Sequence, residues 1–190
     1  NTVTLWGPLA GSGGITLAGA GTLHVMERNG AGPTEAGGGT GGGSLDANGL
    51  TFGAGHTIIA DRVANMTWSG DLSGAGALIK NNTGTLTLSG SNTHTGPTTI
   101  NAGTLVNNGG NGNTGPVQIN SFTTYAGTGS AGAVTLGPDA SIRPGATEGD
   151  ADIGTLSFAS LTVNGGEFRM NFGPGFTTND TIAVSGTVNF

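Results

Sequence analysis

Short apolar runs that end in glycine recur along this chain, and their spacing constrains the fold more than any other feature. The tripeptide Gly-Thr-Leu occurs at residues 21–23, 84–86, 103–105 and 154–156. The step from 84 to 103 is 19 residues, and the step from 21 to 84 is 63, or three steps of 21. A period of about 20 residues is too long for a tight hairpin and suits one coil of a parallel solenoid. We therefore expect stacked parallel strands.

Within these runs, apolar residues alternate with Thr, Asn or Ser, as at residues 85–88 (TLTL) and 117–119 (VQI). This period of two predicts strands with one buried face, and no segment shows the periodicity of an amphipathic helix. At about 20 residues per coil, the chain makes roughly nine coils. The predicted fold class is all-β, a parallel β-helix (β-solenoid).

The composition agrees with such a fold. Gly supplies 40 of the 190 residues, 34% of the residues are hydrophobic and the net charge is −6, which is not the composition of a disordered chain. Frequent corners favour Gly and Asn, which accept positive φ. Asn or Thr stacked in successive coils can form hydrogen-bonded ladders. Aromatic residues are expected to pack mostly in the core: Trp6, Phe52, Trp68, Phe122, Tyr125, Phe158, Phe168, Phe172, Phe176 and Phe190.

The charges argue against nucleic-acid and membrane partners. The sequence pI is about 4.6, and phosphate backbones or anionic lipids need clustered Lys and Arg. The basic residues instead stand singly, at Arg28, Arg62, Lys80, Arg143 and Arg169. No apolar run approaches the roughly 20 residues of a membrane helix, so no transmembrane segment is predicted in this chain. The absence of Cys excludes disulfides and thiolate metal sites.

One stretch does not follow the repeat pattern. Residues 28–44 (RNGAGPTEAGGGTGGGS) have no apolar periodicity and are rich in Gly. We interpret them as a loop that extends from the solenoid. The residues before this loop are too few to fold alone. The prediction is therefore a single solenoid domain, residues 1–190, with an extruded loop at 28–44.

Residues 70–108 (GDLSGAGALIKNNTGTLTLSGSNTHTGPTTINAGTLVNN) carry a more specific pattern. The run resembles the autotransporter-associated β-strand repeat of passenger domains, with agreement at Lys80, 84–90, 92–96 and 98–105. The main departure is His94, where that repeat has an aromatic residue, usually Tyr. Because His94 replaces an aromatic residue of the repeat, we expect it to have a packing role.

Two later segments, 141–156 and 179–186, also resemble passenger domains, through their Pro-Gly, Ile-Gly-Thr-Leu and Asp-Thr-Ile-Ala-Val-Ser-Gly runs. The resemblance implies a right-handed parallel β-helix. It also implies a stalk or scaffold that is secreted or exposed on a bacterial cell surface, and it brings no catalytic residues to transfer.

The sequence contains few residues in the arrangement that an enzyme active site needs. Glycan-cleaving β-helices need paired carboxylates, and the pairs available are Asp150 with Asp152, and Asp46 with Asp61 or Asp71. The predicted strands carry almost no carboxylates, so we expect no enzyme activity. Three Gly-x-Gly-x-x-Gly matches arise by chance in a Gly-rich chain without helices, so no cofactor is expected. A weak Ca²⁺ site at Asp150 and Asp152 is less favoured than a solvated turn.

Three functional hypotheses follow. The first is a non-enzymatic extracellular solenoid, either the stalk of a surface adhesin or a self-assembling filament subunit. The second is an adhesion module that binds a host, matrix or carbohydrate ligand through residues 28–44. The third, and least favoured, is a polysaccharide-degrading enzyme. Because the sequence begins and ends in strand-like runs, end-to-end homo-oligomers are expected to form through Leu5, Trp6, Val188 and Phe190.

Overall fold

The computed structural model is built from short β-strands, numbered β1 to β19 in chain order, and its described part contains no helix. The described residues are 1–5, 15–17, 19–26, 49–109, 114–147, 152–173 and 178–190. The loop predicted at 28–44 and the residues Trp6, Asp46, Asp150 and Phe176 lie outside them.

The strands form three sheets. The largest follows the order β1 (Thr2–Leu5), β3 (Gly21–Met26), β5 (His56–Asp61), β8 (Ala77–Asn81), β10 (Thr98–Ile100), β12 (Val117–Ile119), β14 (Ser130–Leu136), β16 (Thr155–Val163) and β18 (Thr181–Val184), and β19 (Val188–Asn189) also pairs with β16. The second contains β6 (Met66–Trp68), β9 (Thr85–Leu88), β11 (Thr104–Asn107), β13 (Thr124–Gly127), β15 (Ser141–Pro144) and β17 (Glu167–Phe168). The third contains β2 (Ile15–Leu17), β4 (Leu50–Phe52) and β7 (Leu72–Ser73).

Every pairing between these strands is parallel. Thr57 lies beside Ala77 and Thr98 beside Val117, so successive coils are offset by 20 and 19 residues there. This offset is the period of the Gly-Thr-Leu tripeptides, and it confirms the prediction of an all-β protein with stacked parallel strands, as in a β-solenoid. The right-handed sense stays an expectation from the resemblance.

In strands such as β5, β8, β9, β10 and β12, alternate residues form the core. The pairing stacks Ile58, Leu78, Thr98, Val117 and Val134 in one column, and all five are buried. Their neighbours in sequence face outward. A single continuous apolar interior therefore runs through the stack, and each coil buries its inner face only against the coils beside it.

Glycine columns mark the corners between sheets. Gly76, Gly96 and Gly115 follow one another in successive coils. A Cβ on Gly96 would overlap the carbonyl oxygen of Gly76, and a Cβ on Gly115 would overlap that of Gly96. The backbones of stacked corners therefore approach too closely for a side chain, which gives the high Gly content a steric cause in addition to the conformational one.

The aromatic residues divide between core and surface. Phe52, Trp68, Tyr125 and Phe158 are buried as predicted. The prediction is wrong for Phe122, which is 82% exposed and adopts a φ of 62° at a turn, and for Phe168, Phe172 and Phe190, which are also exposed: Phe168 40%, Phe172 54% and Phe190 94%. Hydrophobicity alone does not reveal which aromatic falls at a corner rather than on an inward strand position.

Candidate functional site: polar groups between the coils

An asparagine ladder runs along the edge where the large sheet turns into the second sheet. Asn81, Asn101 and Asn120 occupy equivalent positions after Lys80, Ile100 and Ile119. The Asn101 amide donates to Asn81 Oδ1 at 2.9 Å, and the Asn120 amide donates to Asn101 Oδ1 at 2.7 Å. The predicted ladder of stacked side chains is thus confirmed for Asn.

Asp61 extends the ladder by one coil toward the N-terminus and adds a charged contact. Asp61 pairs with Asn81 in register, and its Oδ1 accepts a hydrogen bond of 2.6 Å from the Asn82 amide. Its other oxygen, Oδ2, lies 3.0 Å from His24 Nε2. Asp61 thus links three successive coils through side chains.

Lys80 is the least expected member of the corner. It occupies an inward column, between Ala60 and Ile100, and only 2% of its surface is exposed. Its ammonium donates to three backbone carbonyl oxygens, those of Asn81 at 2.7 Å, Asn82 at 2.6 Å and Ala102 at 3.1 Å. Burial lowers the pKa of Lys80 to about 8, against the opposing effect of the Asp61 carboxylate. The cation therefore ties together the corners of two coils.

His94 lies inside the stack, with 0% of its surface exposed. Its ring centroid is 5.9 Å from that of Phe52, and its Nε2 is 3.0 Å from Thr98 Oγ1. Burial lowers its pKa to about 4, so the ring is neutral at pH 7. The predicted packing role of this residue is confirmed.

A second buried polar group joins three further coils. The Asn107 amide donates to Tyr125 Oη and to the Ser130 carbonyl oxygen, each at 3.0 Å. The Tyr125 ring packs 6.1 Å from Phe158. Burial raises the pKa of Tyr125 to about 12, although the hydrogen bond from Asn107 acts in the opposite direction. Sequence reasoning missed this group because Asn107 is indistinguishable from the surface asparagines around it.

Of the carboxylates considered for catalysis or Ca²⁺, the described ones, Asp61, Asp71 and Asp152, each accept hydrogen bonds within the stack. Asp61 is the last residue of β5, whereas Asp71 lies between β6 and β7 and accepts a bond of 2.6 Å from the Ser91 amide. Asp152 accepts bonds from the Thr147 amide and hydroxyl. Burial acts to raise the pKa of Asp152, but these bonds outweigh it and hold the pKa below its usual value. Among the described residues, no group of three His, Asp or Glu side chains could hold a metal ion.

Asp180 is a buried anchor that the sequence did not reveal. It is 6% exposed, and its two carboxylate oxygens accept bonds from the backbone amides of Gly154 at 2.8 Å and Asn171 at 2.7 Å. Like Lys80, it uses a charged side chain to satisfy backbone groups of other segments. Lys80 and Asp180 are thus both charged, buried side chains whose partners are backbone groups.

Of the residues predicted as assembly contacts, Leu5 ends β1 and Val188 begins β19, Phe190 follows β19, and Trp6 lies outside the described residues. Leu5 stands beside Val25 in the pairing of β1 with β3. Val188 stands beside Leu161 and is 43% exposed, and Phe190 is 94% exposed. In the part of the chain that the structure describes, no helix has the length and hydropathy of a membrane span.

Comparison with protein families agrees with the repeat pattern. Residues 78–106 match the model of the passenger-associated-transport-repeat family, which confirms the resemblance to autotransporter passenger repeats. The matched segment contains Lys80, His94 and two members of the ladder, Asn81 and Asn101. This family is a passenger-associated repeat rather than an enzyme family. No curated protein and no solved structure is significantly similar to the chain.

Proposed function

We propose that this chain is a structural β-solenoid segment of a secreted or cell-surface bacterial passenger protein, and that it acts as a stalk or scaffold without enzymatic activity. The observation that carries the proposal is the use of polar side chains inside the matched repeat. Lys80 and Asn101 bond to groups of neighbouring coils, and the ring of His94 packs against Phe52 of another coil.

These contacts suit a spacer. Each coil pairs with the coils above and below it, so stiffness and stability grow with the number of coils. The parallel backbone ladder and the asparagine ladder run along the same axis, and both resist separation of the coils. A substrate site would instead require polar groups that converge on a cleft and remain free to bind a ligand.

The purified chain provides a direct test. Small-angle scattering should give an elongated particle, and a panel of polysaccharides should show no turnover. The proposal is wrong if a polysaccharide is cleaved and the activity is lost in Asp152→Asn but kept in Asp71→Asn. A compact scattering envelope would also contradict it.

The filament form of this proposal adds end-to-end contact between copies. This form is supported by the exposure of Val188 and Phe190, which lie in or next to β19, a strand whose described pairing is with β16 alone. Leu5 and Trp6 are the proposed contacts of the second copy. Parallel addition of a copy would extend the large sheet in a head-to-tail manner that does not close. Light scattering should then show assembly that rises with concentration and is abolished by Val188→Lys. A monomer at all concentrations would leave only the stalk form.

A further inference from the structure

His94 occupies an interior position that accepts a neutral ring far better than a charged one. Its ring packs against Phe52, and Thr98 Oγ1 is the hydrogen-bond partner of Nε2. Nδ1 is buried and has no hydrogen-bond partner among the described residues. An imidazolium donates from both nitrogens, so protonation would leave a charged N–H group without an acceptor.

The charged and titratable groups around His94 do not offset that cost. β4 and β10, which supply Phe52 and Thr98, contain no titratable residue. On the neighbouring elements, His56 Nδ1 bonds the Gly53 carbonyl oxygen, the Asp71 carboxylate accepts the Ser91 amide, and the Lys80 ammonium is held by corner carbonyls. Burial alone lowers the pKa of His94.

The segment that carries His94 lies between the strands β9 and β10. Residues 91–96 belong to no strand. The backbone bonds that join the segment to the previous coil include Thr93 N to Leu72 O at 2.7 Å and Thr95 N to Gly74 O at 2.8 Å. Leu72 N also donates to Asn92 Oδ1 at 3.1 Å, and Ser91 N donates to Asp71 Oδ1 at 2.6 Å, so opening must break these bonds as well. Opening here would let water reach the imidazole without separating β8 from β10.

We propose that His94 is a proton-operated latch: acid releases residues 91–97 from the coil that contains β7, and His94 from Phe52 in the coil before it, while the coils on either side stay stacked. In either neutral tautomer the protonated ring carries N–H at both nitrogens, and Nδ1 is the one without a partner among the described residues. The opening stays local because β8 and β10 keep their own parallel pairing. The latch is independent of the stalk role, since it depends only on how this one ring is buried.

The effect can be estimated from linkage. With a pKa of about 4 in the closed form and about 6.5 in the open form, the open population should rise about 60-fold between pH 7 and pH 4.5. Hydrogen–deuterium exchange of the full chain, corrected for intrinsic exchange rates, measures this rise in peptides that cover residues 91–97.

His94→Phe supplies an uncharged aromatic of the kind that the repeat usually carries. It should keep the protection seen at pH 7 and abolish the acid response, whereas His56→Phe should retain the response. Equal opening of the wild type and His94→Phe at acid pH would overturn the proposal. If His94→Phe does not fold, histidine NMR of the wild type decides the question: titration of His94 near pH 6.5 overturns the latch, and titration near pH 4 supports it.

Discussion

Replacing Gly84 by alanine should destabilise the protein by a predictable amount. A Cβ at this position would lie 2.6 Å from the carbonyl oxygens of Ala64 and Val63, and 2.8 Å from that of Arg62. Ordinary van der Waals contact begins near 3.4 Å, so the corner must move by about 0.8 Å. All three obstructing atoms are backbone atoms, and no side-chain rotation can relieve the overlap.

That displacement breaks bonds between the two coils. Gly84 N donates to Arg62 O at 3.2 Å, and the following amide, of Thr85, donates to Asn65 Oδ1 at 2.9 Å. Two lost hydrogen bonds at about 1 kcal/mol each, with residual overpacking of about 1 kcal/mol, give a loss of about 3 kcal/mol. For a chain of this size the melting temperature should fall by about 6–12 °C.

The matched control is Gly53→Ala. A Cβ there would meet nothing closer than His56 Nδ1 at 3.9 Å, so the melting temperature should change by less than about 2 °C. Both variants are compared with the wild type by thermal unfolding followed by circular dichroism. The steric account of the corner fails if Gly84→Ala melts with the wild type, or if Gly53→Ala is the more damaging change.

Three further predictions concern the polar groups. Because burial lowers the pKa of Lys80 to about 8 from its usual 10.5, the unfolded state binds more protons between these values, so the free energy of unfolding should rise from pH 8 to pH 10. Urea titrations should show this rise in the wild type, and its persistence in Lys80→Met would contradict the assignment. Asn101→Ala removes two exposed ladder bonds and should lower the free energy of unfolding in urea by about 0.5–1 kcal/mol. A loss above about 3 kcal/mol would mean that the ladder contributes more to stability than two exposed hydrogen bonds. Tyr125→Phe keeps the ring beside Phe158 but removes one acceptor from the buried Asn107 amide, so it should cost about 1–2 kcal/mol, and an unchanged urea midpoint would show that this bond is unimportant.

The sequence by itself determined the repeating architecture. The spacing of Gly-Thr-Leu from 84 to 103 equals the offset between Thr85 and Thr104 in the second sheet, because in a parallel stack the repeat length is the coil length. Because Leu86 and Leu88 alternate with Thr, the sequence alone predicts which face of this strand is buried. The match of residues 78–106 to a passenger repeat was visible for the same reason, since the repeat is a local pattern.

Only the tertiary structure decided which polar residues enter the core and how long each coil is. Lys80 reads as an isolated surface charge and Asn107 as another ladder residue, yet both are buried, because backbone groups of other coils supply their partners. The coil offset also narrows to 17 residues from Val117 to Val134 and widens to 27 from Ser130 to Ser157. A one-dimensional pattern encodes the preferred face of each residue, but the acceptor that makes burial of a polar group favourable exists only once the next coil is in place.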